Sequence, residues 1–87
     1  MATRTRGIIK SVHSREQQVF CELMIEARAK ADLTQEKLAK RLKRPQSFIA
    51  KYEGGERRID IVEFVAVAKA IGADPIEILR AFIRRMN

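Results

Sequence analysis

The chain has 87 residues, with 18 lysines and arginines against 11 aspartates and glutamates, a formal charge of +7 and a pI near 10.2. That length suits one domain with a single modest core. The positive charge favours a polyanionic partner such as nucleic acid, an anionic membrane surface or an acidic protein. No segment approaches the roughly 18 apolar residues of a membrane-spanning helix, and no signal-peptide pattern opens the chain, so we expect a soluble cytoplasmic protein.

Residue types that carry catalysis or bind metals are sparse. The chain has one histidine, His13, and one cysteine, Cys21, too few for a metal site of the usual ligand count. Gly54 and Gly55 are better explained as a helix end than as a phosphate loop. We therefore expect no enzyme, no cofactor, no metal and no small-molecule ligand, with Cys21 as a small buried apolar residue.

The first 13 residues, MATRTRGIIKSVH, carry basic side chains and no acid. This composition predicts a basic N-terminal arm over 1–13, followed by one domain over 14–87. Two adjacent isoleucines, Ile8 and Ile9, indicate a short extended piece of the arm that packs on something else. His13 is expected to be exposed and to have no functional role.

Capping signals divide the rest of the chain into five helices. Ser14 and Gln17 form a capping-box pattern that predicts a first helix to about Ala31, and Thr34 caps a short second helix, TQEKLAKRLK. Pro45 is expected to open the first turn of the third helix, which ends at Gly55.

Two more helices follow in the same way. Asp60 and Glu63 form a capping box for a fourth helix that stops at Gly72 and faces inward through Ile61, Phe64, Val65, Ala68 and Ile71. Asp74, Pro75 and Glu77 supply the cap, first-turn proline and third-position acid of a fifth helix. The pattern predicts an all-α domain of five helices.

Two short helices joined by a tight turn in a basic domain are the outline of a helix-turn-helix. The segments LTQEKLAKRL and IAKYEGGE, followed by AKAIGADP, resemble the lambda-repressor and Cro-like family of DNA-binding domains, also called XRE, from about Phe20 to Leu79. The resemblance implies a five-helix fold and a small, homodimeric, sequence-specific regulator of transcription in bacteria or phage, most readily a repressor, which binds double-stranded DNA.

Family positions map onto particular residues of this chain. The resemblance implies that the recognition helix, about 45–54, reads base edges in the major groove through Gln46, Ser47, Ala50 and Lys51. It places Gln35 at a phosphate from the start of the second helix, and Arg28 and Glu53 in a structural salt bridge. By their position and charge, four flanking cations are expected to contact phosphates: Lys43, Arg44, Arg57 and Arg58.

Three residues depart from the family pattern. Lys43 stands where the turn commonly has glycine, which is strained if that backbone site is left-handed. Pro45 replaces the usual small polar cap, and Phe48 replaces a small residue. We expect Phe48 to be partly buried against the second helix, with insertion near DNA as the alternative.

Surplus apolar residues leave a second class of function open. Cys21, Ile25, Phe82, Ile83 and Met86 exceed what one small core needs, so an antitoxin-like or adaptor module that binds a protein such as a toxin is the alternative. The two interpretations combine if the surplus forms a homodimer interface. We expect Phe82 and Met86, with Ile83, to form that outer stripe of the fifth helix.

Overall fold

A computed structural model describes residues 14–87. This part of the chain forms five helices and no strand, as predicted: α1 Arg15–Lys30, α2 Gln35–Leu42, α3 Gln46–Glu53, α4 Ile61–Ile71 and α5 Pro75–Met86. The predicted basic arm, with Ile8, Ile9 and His13, lies outside the described residues. None of the five helices is both long and apolar enough to cross a membrane.

Side-chain caps begin the helices where the sequence places them. The Ser14 hydroxyl accepts a hydrogen bond from Gln17 N at 3.1 Å, and the Thr34 hydroxyl accepts one from Lys37 N at 3.1 Å. At α4 the capping box is complete, because Asp60 Oδ1 accepts from Glu63 N at 2.7 Å while Glu63 Oε1 accepts from Asp60 N at 2.9 Å. These bonds satisfy amide groups that have no partner within their own helix.

The turn between α2 and α3 is tight and contains a left-handed lysine. Lys43 has φ 55° and ψ 42°, and Arg44 N donates to Ala39 O at 3.0 Å to close the end of α2. The expectation that α3 begins at Pro45 is wrong. Pro45 has ψ 150° and is an extended N-cap without a side-chain hydrogen bond, so the helix begins at Gln46.

The core lies where α1, α2, α3, α4 and α5 meet, and its largest fully enclosed side chains are Met24, Leu38, Ile49, Tyr52 and Val67. Phe48 is also buried, at 6% exposure, more deeply than expected. The prediction that Ile61 faces inward is wrong, since it is 66% exposed and lines an open groove of about 300 Å³ between α1, α4 and α5.

The fifth helix turns outward a stripe that shares only Ile83 with the one predicted. Phe82 and Met86 are half-buried and pack against the core, so their assignment to an outer stripe is wrong. The exposed large apolar residues of α5 are Ile76, Leu79 and Ile83, at 55%, 44% and 50%. Their spacing of three and four residues aligns them on one helix face, which we call the α5 stripe.

Candidate nucleic-acid interface

Helix α3 has one exposed and one buried side of nearly equal width. At about 100° per residue each side spans an arc of about 140°. The buried arc consists of Phe48, Ile49, Tyr52 and Glu53, and the exposed arc, here called the reading face, consists of Gln46, Ser47, Ala50 and Lys51. The face predicted to turn away from the core is therefore continuous and open to solvent.

The reading face combines four different contact chemistries. Gln46 offers an amide that can donate and accept at once, Ser47 a hydroxyl, Ala50 a methyl group and Lys51 an ammonium. A glutamine amide matches the N6 and N7 edge of adenine, a lysine matches the acceptors of guanine, and a methyl group suits thymine. These are groups that distinguish base pairs in a major groove.

The start of α2 presents backbone amides, and its first residue, Gln35, contacts the end of α3. Thr34 caps the helix through Lys37 N, so the N–H groups of Gln35 and Glu36 precede the first helical hydrogen bonds. Such amides, at the positive end of the helix dipole, suit an anion. The Gln35 side chain has a second role, because its Nε2 donates to Glu53 Oε1 at 2.9 Å.

One buried carboxylate, that of Glu53, ties the helix-turn-helix to α1. Arg28 donates to it twice, from Nε at 2.7 Å and from Nη2 at 2.9 Å, while Arg28 Nη1 donates to Leu33 O at 2.8 Å. The Glu53 side chain is only 3% exposed. The hydrogen bond to Glu53 raises the pKa of Arg28, so the guanidinium keeps its charge. Through Glu53, the start of α2 and the end of α3 are fixed to the same point of α1.

Two arginines lie over the ring of Phe48. The guanidinium carbon of Arg44 lies 4.0 Å from the ring centroid, and that of Arg57 lies 5.0 Å from it. Arg57 also forms a two-pronged ion pair with Glu63, with N–O distances of 2.9 and 3.2 Å. Arg44 approaches the same carboxylate at 3.9 Å. We call Arg44, Phe48, Arg57 and Glu63 the arginine cluster.

Hydrogen bonds explain the ionisation of this cluster. The bonds from Arg57, followed by the backbone N–H of Asp60, lower the pKa of Glu63. The sequence identified Glu63 only as a cap, because the capping box accounts for it completely. No sequence signal distinguishes a capping glutamate that also holds arginines from one that does not.

The remaining predicted phosphate contacts lie in two different environments. Lys43 is exposed in the turn before α3. Arg58 is half-buried and lines the groove between α1, α4 and α5 together with Ile59 and Phe64. Lys43 therefore lies in the turn directly before the helix that carries the reading face, whereas Arg58 is partly buried within the domain.

A model of the helix-turn-helix family matches residues 24–78. Over nearly its full length the chain is also similar to an XRE-family like protein from Pseudomonas syringae pv. tomato, with 40% identity, a TM-score of 0.81 and coverage of 99% of this chain and 98% of that one. The chain belongs to the XRE-like helix-turn-helix family. Members of this family are DNA-binding regulators of transcription rather than enzymes.

Two further solved structures share the fold of this XRE-family chain. The restriction-modification controller protein C.AhdI from Aeromonas hydrophila is 26% identical, with a TM-score of 0.69 and coverage of 75% of this chain and 98% of that one. The controller protein C.Esp1396I, solved as a tetramer with its natural 35 base-pair operator, is 18% identical, with a TM-score of 0.75 and coverage of 83% and 95%. Comparison with curated proteins gives no match.

Proposed function

We propose that this XRE-family protein is a sequence-specific repressor that binds double-stranded DNA as a homodimer in the bacterial cytoplasm, with α3 in the major groove. The reading face carries this proposal. Gln46, Ser47, Ala50 and Lys51 form one exposed arc of base-matching groups on a helix whose other side is locked into the core.

Phosphate contacts would fix the register of α3 on the duplex. The amides at the start of α2 and the cations Lys43, Arg44 and Arg57 flank the reading face. Arg57 keeps 40% of its side chain exposed and Arg44 keeps 42%, so both can reach a phosphate. Contacts of this kind position a protein and supply affinity, whereas base contacts supply specificity.

The α5 stripe supports the homodimer. A self-complementary apolar face brings two recognition helices into fixed relation, and a twofold dimer reads half-sites about 34 Å apart. C.Esp1396I, which shares the fold, assembles on its operator as a tetramer. Ile83, which the sequence pattern assigns to the interface, belongs to this stripe, and Ile76 and Leu79 join it.

Selection of bound sequences from a random DNA pool tests the proposal. We expect an enriched palindrome with half-sites about one helical turn apart. Gln46→Ala and Lys51→Ala should each weaken the selected site by roughly 1 to 3 kcal/mol and relax one position of the motif. Lys69→Ala, which removes an exposed lysine from the last turn of α4, is the matched control and should leave the motif unchanged.

Two outcomes would contradict the proposal. Absence of duplex binding at low salt would exclude DNA as the ligand of the basic surface, and an unchanged motif in both α3 variants would exclude α3 as the reading element. In the first case the exposed α5 stripe would favour the alternative of an antitoxin-like or adaptor module that binds another protein, such as a toxin.

A further inference from the structure

The arginine cluster places an acidic side chain beside two cations that the proposed function assigns to phosphates. An acid at a DNA-binding surface can act in two opposite ways. It can compete with phosphates for the arginines, or it can hold the arginines in the orientation that phosphates need. The donor geometry of Arg57 distinguishes between these two roles.

Arg57 meets Glu63 with only one side of its planar fork. Nη1 donates to Glu63 Oε1 at 3.2 Å and to Arg58 O at 3.0 Å, and Nη2 donates to Glu63 Oε2 at 2.9 Å. The adjacent edge carries the Nε hydrogen and the second Nη2 hydrogen, and no hydrogen bond described within residues 14–87 uses that edge. Arg57 can therefore hold Glu63 and grip a phosphate bidentately at the same time.

The negative charge of Glu63 is compensated within the domain. Its carboxylate accepts the backbone N–H of Asp60 at the positive end of α4, and its side chain is only 20% exposed. Two arginines and one glutamate leave the arginine cluster with a net positive charge. A phosphate that approaches the cluster therefore meets the Nε and Nη2 donors of Arg57 rather than the carboxylate of Glu63, which is shielded by its hydrogen bonds.

Phe48 supplies the second constraint on both arginines. Both guanidinium groups lie over its buried ring, although Arg44 stands directly before the cap of α3 and Arg57 stands four residues beyond the end of that helix. Stacking on an aromatic face and pairing with a carboxylate each remove rotamer freedom that a long arginine would otherwise lose on binding DNA. Arginines held in this way are preorganised together at one place beside the recognition helix.

We propose that Glu63 is a positioning residue for DNA binding, which holds Arg57, and with it Arg44, against Phe48 in the orientation that grips the phosphates flanking α3. This inference rests on the proposed function and adds to it a residue that touches no DNA itself. It also assigns a role to the unusual phenylalanine of the recognition helix, which serves as a stacking surface shared by the two cations.

Glu63→Gln tests this role with little structural disturbance. Glutamine keeps the capping-box hydrogen bonds of α4 but cannot form the two-pronged ion pair. On the selected duplex we expect affinity to fall about threefold to tenfold and the log–log salt slope to become shallower by about 0.9 for each phosphate that is no longer neutralised. Unfolding by circular dichroism should stay close to wild type, and the selected motif should not change.

Glu22→Gln is the matched control, because it removes the same charge from an exposed position on α1. Loss of an acid without a positioning role should strengthen binding slightly and leave the salt slope unchanged. Arg57→Lys keeps the positive charge but loses the planar, bidentate guanidinium. It should weaken DNA binding as Glu63→Gln does, and it tests the inference even if Glu63→Gln lowers stability. In an Arg57→Ala background, Glu63→Gln should have little further effect.

Tighter binding by Glu63→Gln, with an unchanged or steeper salt slope, would overturn the inference and make Glu63 a competitor of phosphate. Full additivity of Glu63→Gln and Arg57→Ala would also overturn it. In both cases the wild-type chain still binds its selected duplex. A wild-type chain that binds no duplex at low salt would instead refute the proposed function.

Discussion

Replacement of Glu53 by alanine should strongly destabilise the domain. The carboxylate accepts three hydrogen bonds, two from Arg28 and one from Gln35, and is almost completely enclosed. Glu53→Ala removes all three and leaves the Arg28 guanidinium facing a small cavity without its counter-charge.

The size of the effect follows from the burial of both partners. Breaking one side of a buried ion pair costs about 3 to 5 kcal/mol, because the other charge loses its partner without regaining water. Arg28 remains 17% exposed and keeps its bond to Leu33 O, so partial hydration is available and the lower end, about 3 kcal/mol, is expected. Small domains have only about 5 to 15 kcal/mol of stability in total.

Urea denaturation followed by circular dichroism measures the loss. The exposed Glu22→Ala on α1 is the control and should change the free energy of unfolding by less than about 0.5 kcal/mol. The double variant Arg28→Met with Glu53→Leu should recover much of the lost stability, since it leaves no unpaired charge. A loss below about 1 kcal/mol for Glu53→Ala, or no recovery in the double variant, would refute this account.

Three further outcomes are expected. The buried Tyr52 hydroxyl has no hydrogen-bond partner within residues 14–87, so Tyr52→Phe should not lower the free energy of unfolding and can raise it by up to about 1 kcal/mol; a clear loss in urea would contradict this. Leu79→Glu on the α5 stripe should give a folded monomer in sedimentation experiments, whereas the control Ile25→Glu on α1 should remain dimeric; a dimeric Leu79→Glu would place the interface elsewhere. Hydrogen bonds from arginines lower the pKa values of Glu26 and Glu63 below 4.5, so their ion pairs stabilise the fold above that pH and are lost as the pH falls through the lowered values. The effect is small because the pairs are partly exposed, and a melting temperature that rises below pH 4.5 would contradict it.

Local chemistry made much of the fold predictable. A cap such as Thr34 or Asp60 acts on amides three residues away, so the helix starts can be read without knowing what packs where. The same holds for the exposed side of α3, which depends only on helical spacing and on which residues are apolar. Pro45 was misplaced by one position because proline suits both the cap and the first turn.

Tertiary packing decided what the sequence left ambiguous. Phe82 and Leu79 are both apolar, and only the position of α5 against the core shows that the first packs inward and the second faces solvent. Ile61 fits the helical stripe of α4 but lies beside an open groove. The pairing of Arg57 with Glu63 and the stacking on Phe48 join residues of different elements, which spacing along one helix does not reveal.

The attachment of α1, α2 and α3 through Glu53 has a consequence for the DNA. With both helices of the motif fixed to one carboxylate, the distance between the α2 amides and the reading face is set by the protein. A duplex that does not match this distance must bend or twist to fit, and the energy of that deformation depends on base steps that no side chain touches. Under the proposed function, flexible pyrimidine–purine steps next to the contacted bases should therefore be favoured in the operator, and a preference for DNA shape would add to the proposed reading of base edges.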